Sequence, residues 1–246
     1  MIPGIIAGRR TAAPVNDPLW ASVRSLVHFD GADGATSITD QKGVAWTRDG
    51  AAVLATAQKK FGTASLRLVN TTGDDGFRAA ADLISPSGQL KQLITIEGWM
   101  RVDTLAGYQY NRNPLIGQGA SSGSTDQSFG IDDGKVAFYR AAGLSGGNRV
   151  VQGTTVIAVD TWHHVAMTYD GSVIRVFLDG VLEASATDNT AGWQNTGSQV
   201  RIGRTVVAGY EQYRQATRGY IDELRITRAC RYTSSFAPPS APFPNS

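Results

Sequence analysis

One dipeptide punctuates this sequence and limits what it can become. Asp133-Gly134 separates Phe129-Gly-Ile131 from Val136-Ala-Phe-Tyr139, Asp170-Gly171 separates Val165–Tyr169 from Val173–Leu178, and Asp179-Gly180 separates that last run from Val181–Ala184. Asp-Gly between short apolar runs is a hairpin signal, because two-residue turns matching strand twist need positive φ at both central residues, which Asp and Gly tolerate. Residues 162–186 therefore read as a three-strand meander. The same reading places strands at 25–30, 65–69, 94–102, 150–156, 199–202 and 219–227.

Nowhere do apolar residues recur at helical spacing over three turns; the Ala-rich stretch 52–60 is short and interrupted by Thr56. An antiparallel, all-β chain with this many short strands must stack two sheets or close a barrel, since one open sheet would leave a face and two edges bare. The expected architecture is a sandwich of two antiparallel sheets. The 246 residues, 41% hydrophobic and 18% charged, suit one domain of that kind.

Composition also excludes functions. Lys and Arg number 23 against 21 Asp and Glu, with no dense basic run, so neutralising a phosphate backbone is not expected and nucleic acid is not an expected partner. The single Cys230 makes no intrachain disulfide and no thiolate cluster for zinc or iron–sulfur. The apolar stretch Ile2–Ala7 is too short for a signal core or a membrane span, and Arg9-Arg10 follows it rather than preceding it, so neither secretion nor membrane insertion is expected. Residues 1–21, with Pro3, Pro14 and Pro18, read as an extended arm, and the Pro-rich 238–246 as an extended tail. In this reading Ile2, Ile5, Ile6 and Phe243 are apolar side chains available to dock on a neighbouring subunit.

Seven segments carry a resemblance. Leu26-Val-His-Phe-Asp-Gly31, Lys60-Phe-Gly-Thr-Ala-Ser-Leu66, Ile94-Thr-Ile-Glu-Gly-Trp-Met100, Thr161-Trp-His-His-Val-Ala-Met-Thr-Tyr-Asp-Gly171, Val176-Phe-Leu-Asp-Gly180, Val200-Arg-Ile-Gly203 and Gly219-Tyr-Ile-Asp-Glu-Leu-Arg-Ile226 follow one another as in laminin G-like, concanavalin A-like jelly-roll domains. The likeness covers residues 22–237 and implies a jelly roll that often holds calcium and often binds glycans or proteins. The leader Met1–Ala7, the entry Asp17-Pro-Leu-Trp20 and the closing Thr227–Thr233 and Phe236–Pro239 resemble bacteriophage versions of this domain, found in tail and other virion proteins. That narrower resemblance implies a virion component made in the host cytoplasm. Its partners would be other virion proteins, further copies of itself and host-surface polysaccharide.

The acids do not suggest an enzyme. A glycosidase needs two carboxylates flanking the scissile bond, and the Glu-x-Asp-x-x-Glu type of run that hydrolytic relatives carry is absent among Glu97, Glu183, Glu211 and Glu223. Asp222 and Glu223 are adjacent and would point to opposite faces of a regular strand. On that reading Asp222 shares a face with Leu224 and Ile226, a buried carboxylate needing a cation, hydrogen bonds or protonation. Calcium suits it, because that ion mixes carboxylates with carbonyls. The resemblance, which packs the first strand against the last, makes Asp30 the second ligand; an arginine partner or a turn is the alternative.

His163 and His164 cannot chelate one metal from a single strand, and no His-x-Glu or Cys-x-x-Cys accompanies them or His28. Trp193 stands among amides, including Asn195, the combination that stacks a sugar ring and bonds its hydroxyls. Tyr108, Tyr210, Tyr213 and the Gly/Ser-rich 117–128 stretch, read as a loop, add similar chemistry. The expected function is adhesion without catalysis, many weak contacts multiplied by repeated copies. A glycan-cleaving enzyme and a bacterial cell-surface carbohydrate-binding module are the alternatives.

Overall fold

A computed structural model describes residues 16–86, 89–106, 111–120, 127–140, 148–189, 192–195, 197–205 and 215–246. After a 3₁₀ turn at Trp20–Ser22 come seventeen strands: β1 Val23–Val27, β2 Thr47–Asp49, β3 Val53–Ala55, β4 Ser65–Leu68, β5 Gly76–Ala79, β6 Ile94–Val102, β7 Arg112–Ala120, β8 Gln127–Asp132, β9 Lys135–Arg140, β10 Asn148–Gln152, β11 His163–Tyr169, β12 Val173–Leu178, β13 Val181–Thr187, β14 Gly197–Ile202, β15 Arg204–Thr205, β16 Gln215–Ala216 and β17 Gly219–Thr227. Among the described residues no helix is long and apolar enough to cross a membrane.

The strands form two large antiparallel sheets. Eight strands run β13-β12-β11-β6-β17-β4-β3, with β1 also on β17; seven run β10-β9-β8-β7-β14-β5-β2; β15 and β16 form a separate ribbon. Inward side chains of both large sheets, among them Ile96, Met100, Val165 and Ile226 from one and Phe129, Ile131, Phe138 and Ile202 from the other, make one buried cluster. That is the two-layer sandwich expected of an all-β chain, in which each sheet buries one face against the other.

Two of the Asp-Gly turns behave as read. Asp133 and Gly134 have φ of 48° and 77°, Asp179 and Gly180 49° and 78°, each pair closing a two-residue hairpin. At 170–172 only Gly171 is left-handed. There Asp170 Oδ1 accepts from Ser172 N (3.0 Å) and Val173 N (2.8 Å), so the carboxylate holds a three-residue loop. Gly117–Ala120 proves to be strand rather than loop: glycine and polar residues hide the alternation, but β7 gains its ladder from β8 and β14.

β17 departs most from the sequence reading. Its pairing with β6 shifts register between Asp222 and Arg225, and Glu223 has φ 52°. This bulge inserts a residue, so Ile221, Leu224 and Ile226 all point into the core while Asp222 does not share their face. The bulge falls where β17 exchanges one neighbour for another: Gly219–Ile221 pair with β4, and Leu224–Thr227 with β1.

The C-terminal tail is part of the domain. Phe236 stacks on Tyr232 with centroids 3.6 Å apart, and its N–H donates to Gly180 O at 2.8 Å. Phe243, expected to dock on another subunit, is instead only 4% exposed, packed with Val23, Leu26 and Trp20 of its own chain. Its N–H donates to Glu223 Oε2 (2.9 Å), and the Arg225 guanidinium lies 3.8 Å from its ring centroid. Ile2, Ile5 and Ile6 lie outside the described residues.

Candidate functional site

Beneath the tail, the outer face of the eight-stranded sheet is locked by a buried charge network. Arg225 donates Nε and Nη2 to Glu97 Oε1 at 3.0 and 2.8 Å and Nη1 to Asp17 at 3.0 Å. Arg231 holds the same Asp17, and Tyr232 OH donates to Glu97 Oε2 at 3.0 Å. Burial pushes the Glu97 carboxyl up, but Arg225, with His164 and Arg231, outweighs it and holds the group at about 2. All these groups are spent on one another, which suits an anchor for the tail rather than a reactive centre.

Asp30 and Asp222 do clamp one turn from two sides. Asp222 Oδ2 accepts from Lys60 N (2.7 Å) and Phe61 N (3.1 Å), while Oδ1 accepts from Glu223 N at 3.0 Å. Asp30 Oδ1 accepts from Thr63 N and, at 3.0 Å, from Thr63 Oγ1. Calcium binding needs oxygen lone pairs converging on a point, whereas this turn aims N–H groups at both carboxylates. The pair therefore does not fit a calcium site, and among the described residues no three His, Cys, Asp or Glu side chains come together as a metal site. Burial, with the neighbouring Glu223 carboxylate, pushes Asp222 up to about 7 against the pull of its N–H donors.

Trp193 also moves from surface to core. It is 1% exposed, its ring tilted against Phe138, and its Nε1 donates to Gln118 Oε1 at 2.8 Å. The polar groups around it are bonded within the protein: Gln118 Oε1 accepts from both Trp193 Nε1 and Gln127 Nε2, and Asn195 Nδ2 donates to Ser85 O at 2.8 Å. Tyr108, Tyr210 and Tyr213 lie outside the described residues.

The outer face of the seven-stranded sheet holds a polar cluster of another kind. Alternation that turns Phe129, Ile131, Val136 and Phe138 inward turns Ser128, Gly130, Asp132, Ala137 and Tyr139 outward. Register pairs Arg112 with Asp132, Pro114 with Gly130, and Ser128 with Tyr139. Gly130 and Ala137 are small, so the Arg112 side chain can cross them. Its guanidinium reaches 3.5 Å from the Tyr139 centroid, with Nε 3.4 Å from Asp132 Oδ2. The cleft bounded by these residues holds about 10 Å³, room for about one water.

The β15–β16 ribbon borders this cluster. Thr217 Oγ1 donates to Pro114 O (2.6 Å) and Gly203 N to Leu115 O (3.0 Å), pinning its base at the irregularity in β7. Arg204 reaches Asp49 at 2.8 Å and Asp74 at 3.1 Å on the far side. Gly117 permits the seating, since a Cβ there would stand 2.6 Å from Arg204 O and from Thr205 Cβ. Ser128 Oγ then lies 3.3 Å from Gln215 Oε1, joining ribbon and sheet. Tyr139 could have been found from the Val-Ala-Phe-Tyr alternation; Arg112 and Gln215 had no local signal, because non-local register brings them in.

Compared with known proteins, the chain matches the family model of the concanavalin A-like lectin/glucanases superfamily over residues 71–233. No curated protein matches it. Among solved structures it is similar to domain 4 of AbnA, a GH43 extracellular arabinanase from Geobacillus stearothermophilus solved in complex with arabinotriose: TM-score 0.59, 20% identity, covering 85% of this chain and 93% of that one. It is also similar to the binding domain of Paraclostridial Mosquitocidal Protein 1 (TM-score 0.57, 11% identity, 87% of this chain and 50% of that one). The receptor-binding domain of botulinum neurotoxin C/D mosaic serotype gives a TM-score of 0.58 at 11% identity, over 87% of this chain and 49% of that one. This chain thus spans about half the length of those toxin domains, and at such identities the likeness is one of fold. Two stacked antiparallel sheets in jelly-roll order, matched over well more than half of the sequence, make this chain a member of the concanavalin A-like lectin/glucanases superfamily.

Proposed function

We propose that this is a non-catalytic saccharide-binding domain that takes a neutral glycan on the outer face of its seven-stranded sheet. The observation carrying the reading is the Tyr139 ring on that face, 5% exposed beneath the Arg112 guanidinium, with Asp132 and Ser128 in the same cleft and Gln215 3.3 Å from the Ser128 hydroxyl. A tyrosine face stacks the C–H surface of a sugar ring, and the surrounding carboxylate, hydroxyl and amide offer acceptors and donors to its hydroxyls. The cleft is too small for a sugar ring beside Arg112, so the ring takes the place of the guanidinium on Tyr139. Binding to arabinotriose by domain 4 of AbnA supports the reading by likeness of fold.

Hydrolysis is not part of the proposal. The described lining of the cleft carries one carboxylate, Asp132, where cleavage needs two. Glu97, Glu183 and Glu223 are each committed elsewhere, to Arg225, to Thr154 and Thr155, and to His28 and the tail. The setting we propose is a phage particle, on which repeated copies multiply weak contacts; the resemblance of the leader and closing segments supports it.

The test is a panel of neutral oligosaccharides titrated against the wild-type protein, with arabinotriose included. One or more should bind, and Tyr139→Leu, which fills most of this buried position but removes the aromatic face, should weaken binding about tenfold in protein that still unfolds cooperatively. No binding by any member, or release of new reducing ends from a polysaccharide, would overturn the proposal.

A further inference from the structure

A second cluster lies on the outer face of the eight-stranded sheet, away from the tail network. Register aligns Arg67 of β4 with Tyr220 of β17, and Tyr220 with Arg101 of β6. His163 of β11 pairs with Met100, so Trp162, one residue earlier, continues the row. The row thus crosses four adjacent strands, about 14 Å at the usual strand spacing. Its members touch: the guanidinium carbons of Arg67 and Arg101 lie 4.5 and 5.6 Å from the Tyr220 centroid, and the Trp162 ring lies 6.5 Å from it.

Acids hold the two guanidiniums in place. Arg67 Nη1 donates to Asp103 Oδ2 at 2.5 Å, Arg101 Nη1 to Asp103 Oδ1 at 3.4 Å, and Arg101 Nη2 lies 2.9 Å from Asp160 Oδ1. Arg67 is 24% exposed and Asp160 60%, so the cluster faces solvent. Two residues along β6, the Lys60 ammonium sits 3.8 Å from the Trp99 centroid and adds a third cation against the two carboxylates.

We infer that this row is a binding site for a uronate-containing, acidic oligosaccharide. Tyr220 and Trp162 are partly exposed rings on which sugar faces stack. Arg67 has spent Nη1 and keeps Nε and Nη2 without a partner among the described residues, a planar fork that pairs with a carboxylate. Asp103 and Asp160 accept hydroxyl protons. The charge surplus is small, and the two carboxylates repel closely spaced phosphates, so a sparsely charged glycan fits where a nucleic acid does not.

The test is calorimetric titration with oligogalacturonate and oligomannuronate, against matched neutral oligosaccharides and a short single-stranded DNA. At least one oligouronate should bind, more weakly as salt rises, and neither control should bind at this site. Arg67→Ala and Trp162→Ala should each lower that affinity about tenfold without moving the melting temperature. Tyr139→Leu, which probes the seven-stranded face while filling most of the buried position, should leave it unchanged. Absence of oligouronate binding, indifference to Arg67→Ala and Trp162→Ala, loss in a folded Tyr139→Leu, or tighter binding of the DNA would each overturn the inference.

Discussion

Glu97 and Arg225, 128 residues apart in sequence, meet as a buried ion pair in which one carboxylate oxygen accepts both Nε and Nη2 of the guanidinium. Neither side chain reaches solvent appreciably, and the pair ties the two adjacent strands β6 and β17 together. Removing one partner leaves a buried charge without its counter-ion. Glu97→Ala should therefore cost about 3–5 kcal/mol in chemical denaturation, and replacing both residues by apolar ones of similar size should restore most of it. Because Glu97 is held below its ordinary value, at about 2, its stabilisation is full above about pH 4.5 and is lost as pH falls toward 2. A stability profile across that range, flatter in the doubly apolar variant, checks this.

Asp222 works in the opposite sense. Its folded-state value is raised to about 7, so folding favours the protonated form, and stability declines as pH rises from about 4 through 7. The slope should approach 1.4 kcal/mol per pH unit at its steepest. Asp222→Asn should flatten it, as measured by urea unfolding at stepped pH.

His28 sets a third pH window. Burial alone would lower its value, but Glu223, accepting from Nδ1 at 2.8 Å, and Asn245, at 2.6 Å from Nε2, raise it, with Asp30 adding to the effect. The imidazolium's contribution is complete below about pH 6.5 and lost as pH rises through the higher folded-state value. Protection of the Phe243 amide, taken relative to its intrinsic exchange rate at each pH, should fall across that rise in the wild type, and His28→Gln should be weakly protected throughout.

Gly117→Val should lift the β15–β16 ribbon. Its Cβ would crowd Arg204 O and Thr205, costing about 1–3 kcal/mol. Trypsin should then cut after Arg204, which is buried in the wild type.

Trp193→Ala should behave as a core deletion. With the ring 1% exposed against Phe138, it should lose about 3–5 kcal/mol in chemical denaturation. A variant as stable as wild type would mean that the ring lies at the surface after all.

What could be read from the sequence alone was local. The turns at Asp133-Gly134 and Asp179-Gly180 follow from the local backbone preferences of Asp and Gly, and the bounds of Ile94–Val102 and Gly219–Thr227 followed from their composition. These features sufficed for the two-sheet, all-β architecture. The tertiary structure decided the direction of particular side chains. A single inserted residue at Glu223 moved Asp222 off the apolar face, because a period of two flips with every bulge. Trp193 was drawn inward by Gln118 and Phe138, and Phe243 by Val23 and Leu26, partners at least 55 residues away whose placement no local pattern encodes. The two clusters proposed as binding faces arose in the same way. Each is a row built from strands distant in sequence, and strand order is set by burying both sheets at once rather than by any one segment.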